Sequence, residues 1–159
     1  MNDRAKHAVF DRVGIGCDHG GFPLKPIILD KLEELGVQYQ DFGTDSDESV
    51  DYPEFAQKVS EGVSENDLDA GILICGTGRG MAISANKVPG VRASVCSDPY
   101  SARLTRAHND ANVLTMGARV IGPAIAEEII EQFITTRFDG GRHDRRVKKI
   151  ANIEKKYIR

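Results

Sequence analysis

Apolar residues are distributed along this chain in two alternating rhythms. Short runs rich in β-branched side chains, at Val13–Cys17, Val37–Phe42, Ala70–Cys75, Val91–Cys96 and Asn112–Met116, read as strands. Between them the spacing becomes helical. Phe22–Leu35 sets Leu24, Ile27, Ile28, Leu32 and Leu35 on one side and stops at Gly36. Tyr52–Glu65 opens with Pro53 in its first turn. Arg79–Lys87, Tyr100–Ala107 and the long amphipathic Pro123–Thr136 follow, and Gly140-Gly141 breaks the chain before a basic helix over Asp144–Tyr157.

Strands that alternate with helices throughout predict one α/β domain, a three-layer α/β/α Rossmann-like, doubly wound sheet of five parallel strands. The last helix comes after that fold is complete and is expected to pack on a partner subunit. Residues 1–12 precede the first strand and are expected to form a flexible N-terminal extension.

Length and composition narrow the class. The 159 residues suffice for one well-buried core, and 40% hydrophobic with 28% charged residues is an ordinary globular balance. No apolar run approaches the ~20 residues of a membrane span, and Met1–Arg12 lacks the apolar stretch of a signal peptide, so a cytoplasmic protein is expected. Cys17, Cys75 and Cys96 are odd in number and include no C-x-x-C, which argues against a disulfide framework or a zinc knuckle. The net charge of −3 conceals an asymmetry: Arg137–Arg159 holds nine Lys/Arg against three acids. That basic tail reads as a solvated helix face, a phosphate grip or a docking arm for another subunit.

Chemistry concentrates where the third strand ends. Ile72-Leu73-Ile74-Cys75 runs directly into Gly76-Thr77-Gly78-Arg79-Gly80 and then a helix. Such a junction offers bare N–H groups and the positive end of a helix dipole, which suit an anion and favour a thiolate beside them. Cys17 and Cys96 read instead as small buried hydrophobes. Thr77 either caps the helix or orients a sugar oxygen. Gly14-x-Gly16 lies within a strand, and the next glycine, Gly20, spoils the dinucleotide spacing, so a nicotinamide cofactor is not expected.

His19 beside Asp18 is a proton carrier, an anion ligand or a polar turn residue. His108-Asn109-Asp110 ends a helix, where a histidine is favoured by the dipole alone. Arg142 and Arg146, four apart, share a helix face and can fork onto a phosphate, and Arg119 is a third candidate. No histidine pair has metal-ligand spacing, so no metal is expected. In a parallel sheet the helix after the fourth strand carries His108 and Asn109 to the edge opposite Cys75, and Arg142 lies there too. A single site that uses them all must therefore span two copies of the chain.

These residues in this order resemble the ribose-5-phosphate isomerase B family, whose close relatives include the galactose-6-phosphate and allose-6-phosphate isomerases. The markers are Gly16-Cys17-Asp18-His19-Gly20-Gly21-Phe22, Asp51-Tyr52-Pro53, Cys75-Gly76-Thr77-Gly78-Arg79-Gly80, His108-Asn109-Asp110-Ala111-Asn112-Val113-Leu114, and Gly141-Arg142-His143 with Arg146. The resemblance runs from Val13 to the end of the chain. It implies a metal-independent, cofactor-free interconversion of ribose 5-phosphate and ribulose 5-phosphate in a homodimer or tetramer with active sites at the subunit interface. No nucleic-acid or membrane partner is expected.

By the same resemblance, Cys75 moves the proton between C2 and C1, with Thr77 assisting, and His108 opens the furanose ring. The N–H groups of Gly76, Gly78 and Gly80, with Asn109, hold the enediolate. His19, Arg119, Arg142 and Arg146 hold the phosphate, and Asp18 and Tyr52 line the sugar. Some members carry a glutamate in this loop; this chain has the cysteine form. The alternatives are a six-carbon sugar-phosphate isomerase, a non-catalytic sugar-phosphate or nucleotide sensor, and a thiol oxidoreductase, the last lacking a nearby resolving cysteine.

Overall fold

The structure, a computed structural model, describes residues 7–158. Its strands are β1 (Arg12–Cys17), β2 (Gln38–Asp41), β3 (Ala70–Cys75), β4 (Ala93–Val95) and β5 (Val113–Gly117). Its helices are α1 (Lys25–Glu34), α2 (Tyr52–Ser64), α3 (Arg79–Ala85), α4 (Pro99–Asn109), α5 (Pro123–Thr135) and α6 (Arg142–Tyr157), with a 3₁₀ turn at Phe22–Leu24 before α1. Prolines lie in the first turns of α1, α2, α4 and α5, where a missing N–H costs nothing. The sheet is entirely parallel in the order β2-β1-β3-β5-β4, so all five strands end at one edge.

Two apolar layers cover the sheet. On one face Val13, Ile15, Ile72, Ile74, Leu114 and Met116 pack against Ile28 and Leu32 of α1 and Ile129, Ile130 and Phe133 of α5. On the other, Leu73, Cys75 and Val113 meet Ala56, Val59 and Val63 of α2 and Met81 and Ala85 of α3. Gly14 and Gly16 turn toward α2, which explains their place within a strand. A Cβ on Gly16 would lie 3.1 Å from the Phe55 carbonyl and 3.2 Å from Val59.

Several predicted elements are shorter than expected, and in β4 and α3 the cause is visible. Residues 91–92 leave β4 because the Arg92 N–H is taken by the Asn112 side chain (2.7 Å) rather than by the ladder. The end of α3 is unwound at Asn86, whose amide bonds Ala93 in both directions (2.8 and 3.0 Å). Residues 1–6 of the expected extension lie outside the described residues. From Val9 the chain is anchored: its N–H donates to Ile134 O (2.8 Å), and Phe10 packs on Phe133.

Helix α6 stands apart from both layers. His143 is its only buried residue, whereas Ile150, Ile153 and Tyr157 are 46%, 62% and 72% exposed. Between α6 and the β4 edge lies a cavity of about 490 Å³ lined in part by Val91, Ala93, Asn109, Ile150 and Ile153. No helix among the described residues is long and apolar enough to cross a membrane.

The tight seat of α2 is testable. Gly16→Val forces α2 away from β1 and is expected to destabilise by roughly 1–3 kcal/mol, seen as a lower urea midpoint at unchanged m-value. An unshifted midpoint refutes the close-packing account.

Candidate active site

The strand ends of β1, β3 and β5 meet at the carboxyl edge, where ligands bind in open α/β sheets. Cys75 is the last residue of β3. It is 5% exposed, and the Gly78 N–H donates to its Sγ (3.1 Å). Gly78 sits at φ +78°, so the loop turns sharply back over β5 before α3 begins. Arg119, just past β5, lies across the loop, its Nη1 3.3 Å from where a Gly76 Cβ would stand. The N–H groups of Ala118 and Arg119 donate to the Cys75 and Gly76 carbonyls (2.9 and 3.1 Å), which fixes this juxtaposition. Thr77 is exposed at the loop crest, its Oγ1 accepting the Arg79 N–H (3.4 Å).

The loop after β1 closes the other side. Buried Asp18 accepts the Gly21 N–H at Oδ1 (2.9 Å), curling the turn so that Gly20 abuts the Gly76 peptide. His19 Nδ1 accepts the Val50 N–H (3.2 Å), so in this arrangement the ring proton is on Nε2. The acidic loop that supplies Val50 is held by buried Lys25, which reaches Asp41 (2.7 Å), the Thr44 carbonyl (2.8 Å) and Asp45 (3.1 Å). Tyr52, at the start of α2, lays its ring on Gly80, where a Cβ would be 2.7 Å away. Burial pushes the Cys17 and Cys96 thiols up to about 11, as befits core residues.

A second cluster occupies the amino edge. His108, in the last turn of α4, stacks on buried His143 of α6, with centroids 4.2 Å apart and rings 5° from parallel. Arg142 Nε points at His143 Nε2 (3.5 Å), and Asn109 and Arg146 flank the pair on the ends of α4 and α6. Burial first, then His108, Arg142 and Arg146, hold the His143 imidazole below the usual histidine range, with Asp139 opposing them.

Sequence reasoning missed this stack, because nothing in the spacing of His108 and His143 brings α4 to α6. Asp139 also approaches, so that two histidines and a carboxylate stand within metal reach of one another, at most 4.8 Å apart. The rings lie face to face rather than converging on one point, and two guanidinium groups adjoin. The arrangement suits an anion better than a cation.

The two clusters do not meet within one chain. β3 carries Gly71 at its amino end and Cys75 at its carboxyl end, a span of roughly 13 Å at ~3.3 Å per residue, and His108 lies beyond the start of β5. Thus Asp18, His19, Tyr52, Cys75, Gly76, Thr77, Gly78, Gly80 and Arg119 gather at one edge. His108, Asn109, Arg142 and Arg146 gather at the other.

A thiol that accepts a loop N–H, with a guanidinium across the same glycine loop, is an arrangement able to hold an anion in an α/β protein. Residues 13–150 match the family model described as ribose/galactose isomerase. Ribose-5-phosphate isomerase B of Escherichia coli is 49% identical over 91% of this chain and 97% of its own. Ribose-5-P isomerase B of Listeria innocua is 45% identical over 91% of this chain and 98% of its own. The solved ribose-5-phosphate isomerase B of Clostridium thermocellum superposes with a TM-score of 0.90 at 53% identity, covering 92% of this chain and 99% of that one. The chain belongs to the ribose/galactose isomerase family.

Because its folded value is lowered, the neutral His143 form stabilises the fold above the ordinary histidine range, and that contribution is lost as pH falls. In an NMR titration His143 is expected to titrate below free histidine, and Arg142→Ala or Arg146→Ala to raise its midpoint. A His143 midpoint above that of free histidine contradicts this environment.

Proposed function

We propose that this protein interconverts ribose 5-phosphate and ribulose 5-phosphate by ring opening and proton transfer through an enediolate. The observation that carries the reading is Cys75 Sγ accepting the Gly78 N–H within the loop that Arg119 crosses at Gly76. Family membership and the relatives above support the same chemistry.

The furanose opens when His108 helps move the O1 proton to the ring oxygen as the C1–O4 bond breaks. Cys75, as thiolate, takes the proton from C2. Negative charge then develops on O1 and O2, where the loop N–H groups and Asn109 meet it. Thr77 assists in moving the hydroxyl proton, and Cys75 returns its own to C1. General-base transfer supplies about 10²–10⁴ in rate, and an oxyanion donor about 10²–10³. His19, through Nε2–H, joins Arg119, Arg142 and Arg146 on the phosphate, while Asp18 and Tyr52 line the sugar. No step calls on a metal or cofactor.

Two copies complete each site in this reading. The amino edge of one subunit faces the glycine loop of the other, and the apolar side of α6 with the cavity beneath it is covered by the partner. A two-fold dimer satisfies both edges at once. Free thiols at Cys17, Cys75 and Cys96 fit a reducing cytoplasm.

Cys75→Ala is expected to abolish turnover of ribose 5-phosphate, with EDTA present throughout, while binding persists within a few-fold. Turnover near wild type discards the base assignment, and faster turnover of allose 6-phosphate than of ribose 5-phosphate discards the pentose. Mixing inactive Cys75→Ala and His108→Asn chains is expected to restore about a quarter of the activity. Half of randomly paired dimers are hybrids, and each hybrid rebuilds one intact site of two. No recovery after verified subunit exchange refutes the shared site. His108→Asn is expected to slow turnover of ribose 5-phosphate at least tenfold more than solvent hydrogen exchange into C1 of ribulose 5-phosphate, which cannot close a furanose. Equal losses count against a ring-opening role.

A further inference from the structure

The turn that ends α4 is held by more interactions than helix termination requires. Asp110 adopts φ +48°, a left-handed conformation that a non-glycine residue takes only with support. Its N–H donates to the Arg106 carbonyl (3.2 Å), and the Ala111 N–H to the Thr105 carbonyl (3.1 Å). Its carboxylate is gripped from both sides: Oδ2 by Arg92 Nη2 (3.1 Å) and Oδ1 by Arg106 Nη1 (3.0 Å). Arg92 Nε also donates to the Asp110 carbonyl (2.9 Å), and Arg106 Nη1 to that of Ala111 (2.5 Å).

Neither arginine is free to drift. Arg106 is 5% exposed, with its guanidinium 4.7 Å from the Phe10 ring and 5.8 Å from that of Phe133. Its Nε has no hydrogen-bond partner among the described residues, so its burial is driven by the ring packing and the carboxylate rather than by full satisfaction. Arg92 is set by Asn112, whose amide also donates to the Gly90 carbonyl (2.9 Å). The Gly90 N–H in turn donates to Glu154 of α6 (3.0 Å). One polar chain therefore runs from α6 through Gly90, Asn112 and Arg92 to Asp110.

That chain joins the two elements that carry the amino-edge cluster. His108 and Asn109 immediately precede Asp110, and on the other side the Asp139 N–H bonds the Ala107 carbonyl (3.0 Å), tying in the segment that leads to His143. We propose that Asp110, clamped between Arg92 and Arg106, is a positioning residue that holds His108 in its stack on His143 and so presents it to the sugar ring. This rests on the reading of His108 as the ring-opening group. Asp110 touches no reacting atom; it acts through the helix end it pins. The charge matters more than the shape, because both guanidiniums converge on one carboxylate.

Asp110→Asn separates charge from shape, since asparagine also tolerates the left-handed turn. The expected result is a loss of ribose 5-phosphate turnover of at least tenfold beyond any loss of hydrogen exchange into C1 of ribulose 5-phosphate. KM is expected to stay within threefold, and the ring-current-shifted His108 and His143 signals to move. A general loss of folded protein lowers turnover and exchange equally, and that outcome, or unchanged turnover, overturns the proposal. Arg106→Lys, which keeps the charge but loses the planar guanidinium packed on Phe10 and Phe133, is expected to fall between wild type and Asp110→Asn in the same ratio. Wild type and His108→Asn serve as controls. If the wild type neither turns over nor exchanges these substrates, the isomerase reading has failed; if only His108→Asn lacks the skewed ratio, the ring-opening role has.

Discussion

The backbone of the glycine loop lies directly on the end of β5, and everything at the carboxyl edge inherits its position from that contact. A Cβ at Gly117 would stand 2.7 Å from the Thr77 backbone, and one at Gly78 would stand 2.8 Å from that of Met116. With no side-chain layer between loop and strand, neither can shift without moving the other. The Cys75 sulfur, the loop N–H groups and the Arg119 backbone are therefore held in one frame, because the turn after β5 bonds back to the Cys75 and Gly76 carbonyls. Donors fixed before charge develops need no reorganisation when it does, which is where electrostatic catalysis gains most.

The parallel sheet imposes the second constraint. Every strand delivers its end to one edge, so every helix must return to the other, and α4 takes His108 and Asn109 with it. A chain of this topology cannot bring its own His108 to its own Cys75. Arg142 and Arg146 of the amino-edge cluster lie within the basic segment from Arg137 onward, while the rest of the chain carries the excess of acid. In the proposed dimer, this opposite charge would favour the encounter of two copies.

Strand and helix order, the parallel sheet and the carboxyl-edge residues were legible because each rests on a local signal: β-branched runs, prolines opening helices, and a thiol next to glycines. The separation of His108 from Cys75 was legible as well, since strand direction alone dictates it. The His108–His143 stack was not, because it joins α4 to α6 across the whole of β5 and α5. Arg106 was equally opaque. A charged residue in a helix reads as a solvated face, and only the fold reveals Phe10 and Phe133 around it. The polar chain from Glu154 to Asp110 depends on side chains meeting backbone groups far away in sequence, for which no spacing rule exists. In β4 and α3, Asn112 and Asn86 took backbone partners that propensity alone assigns to the ladder or the helix.

The amino-edge cluster divides its labour between two kinds of cation. Arginine stays charged across the working pH range, so Arg142 and Arg146 can grip a phosphate without regard to protonation. Histidine is the group that exchanges protons, and it does so only where its neutral form is accessible. Burial and the adjoining guanidiniums keep His143 on the neutral side, which spares His108 a charged neighbour at 4.2 Å. The same arginines that would hold the substrate anion thus keep the stacked pair from charging together. In the proposed isomerase, affinity and proton transfer would fall to different residues within one small cluster, with the Asp110 clamp fixing where His108 stands.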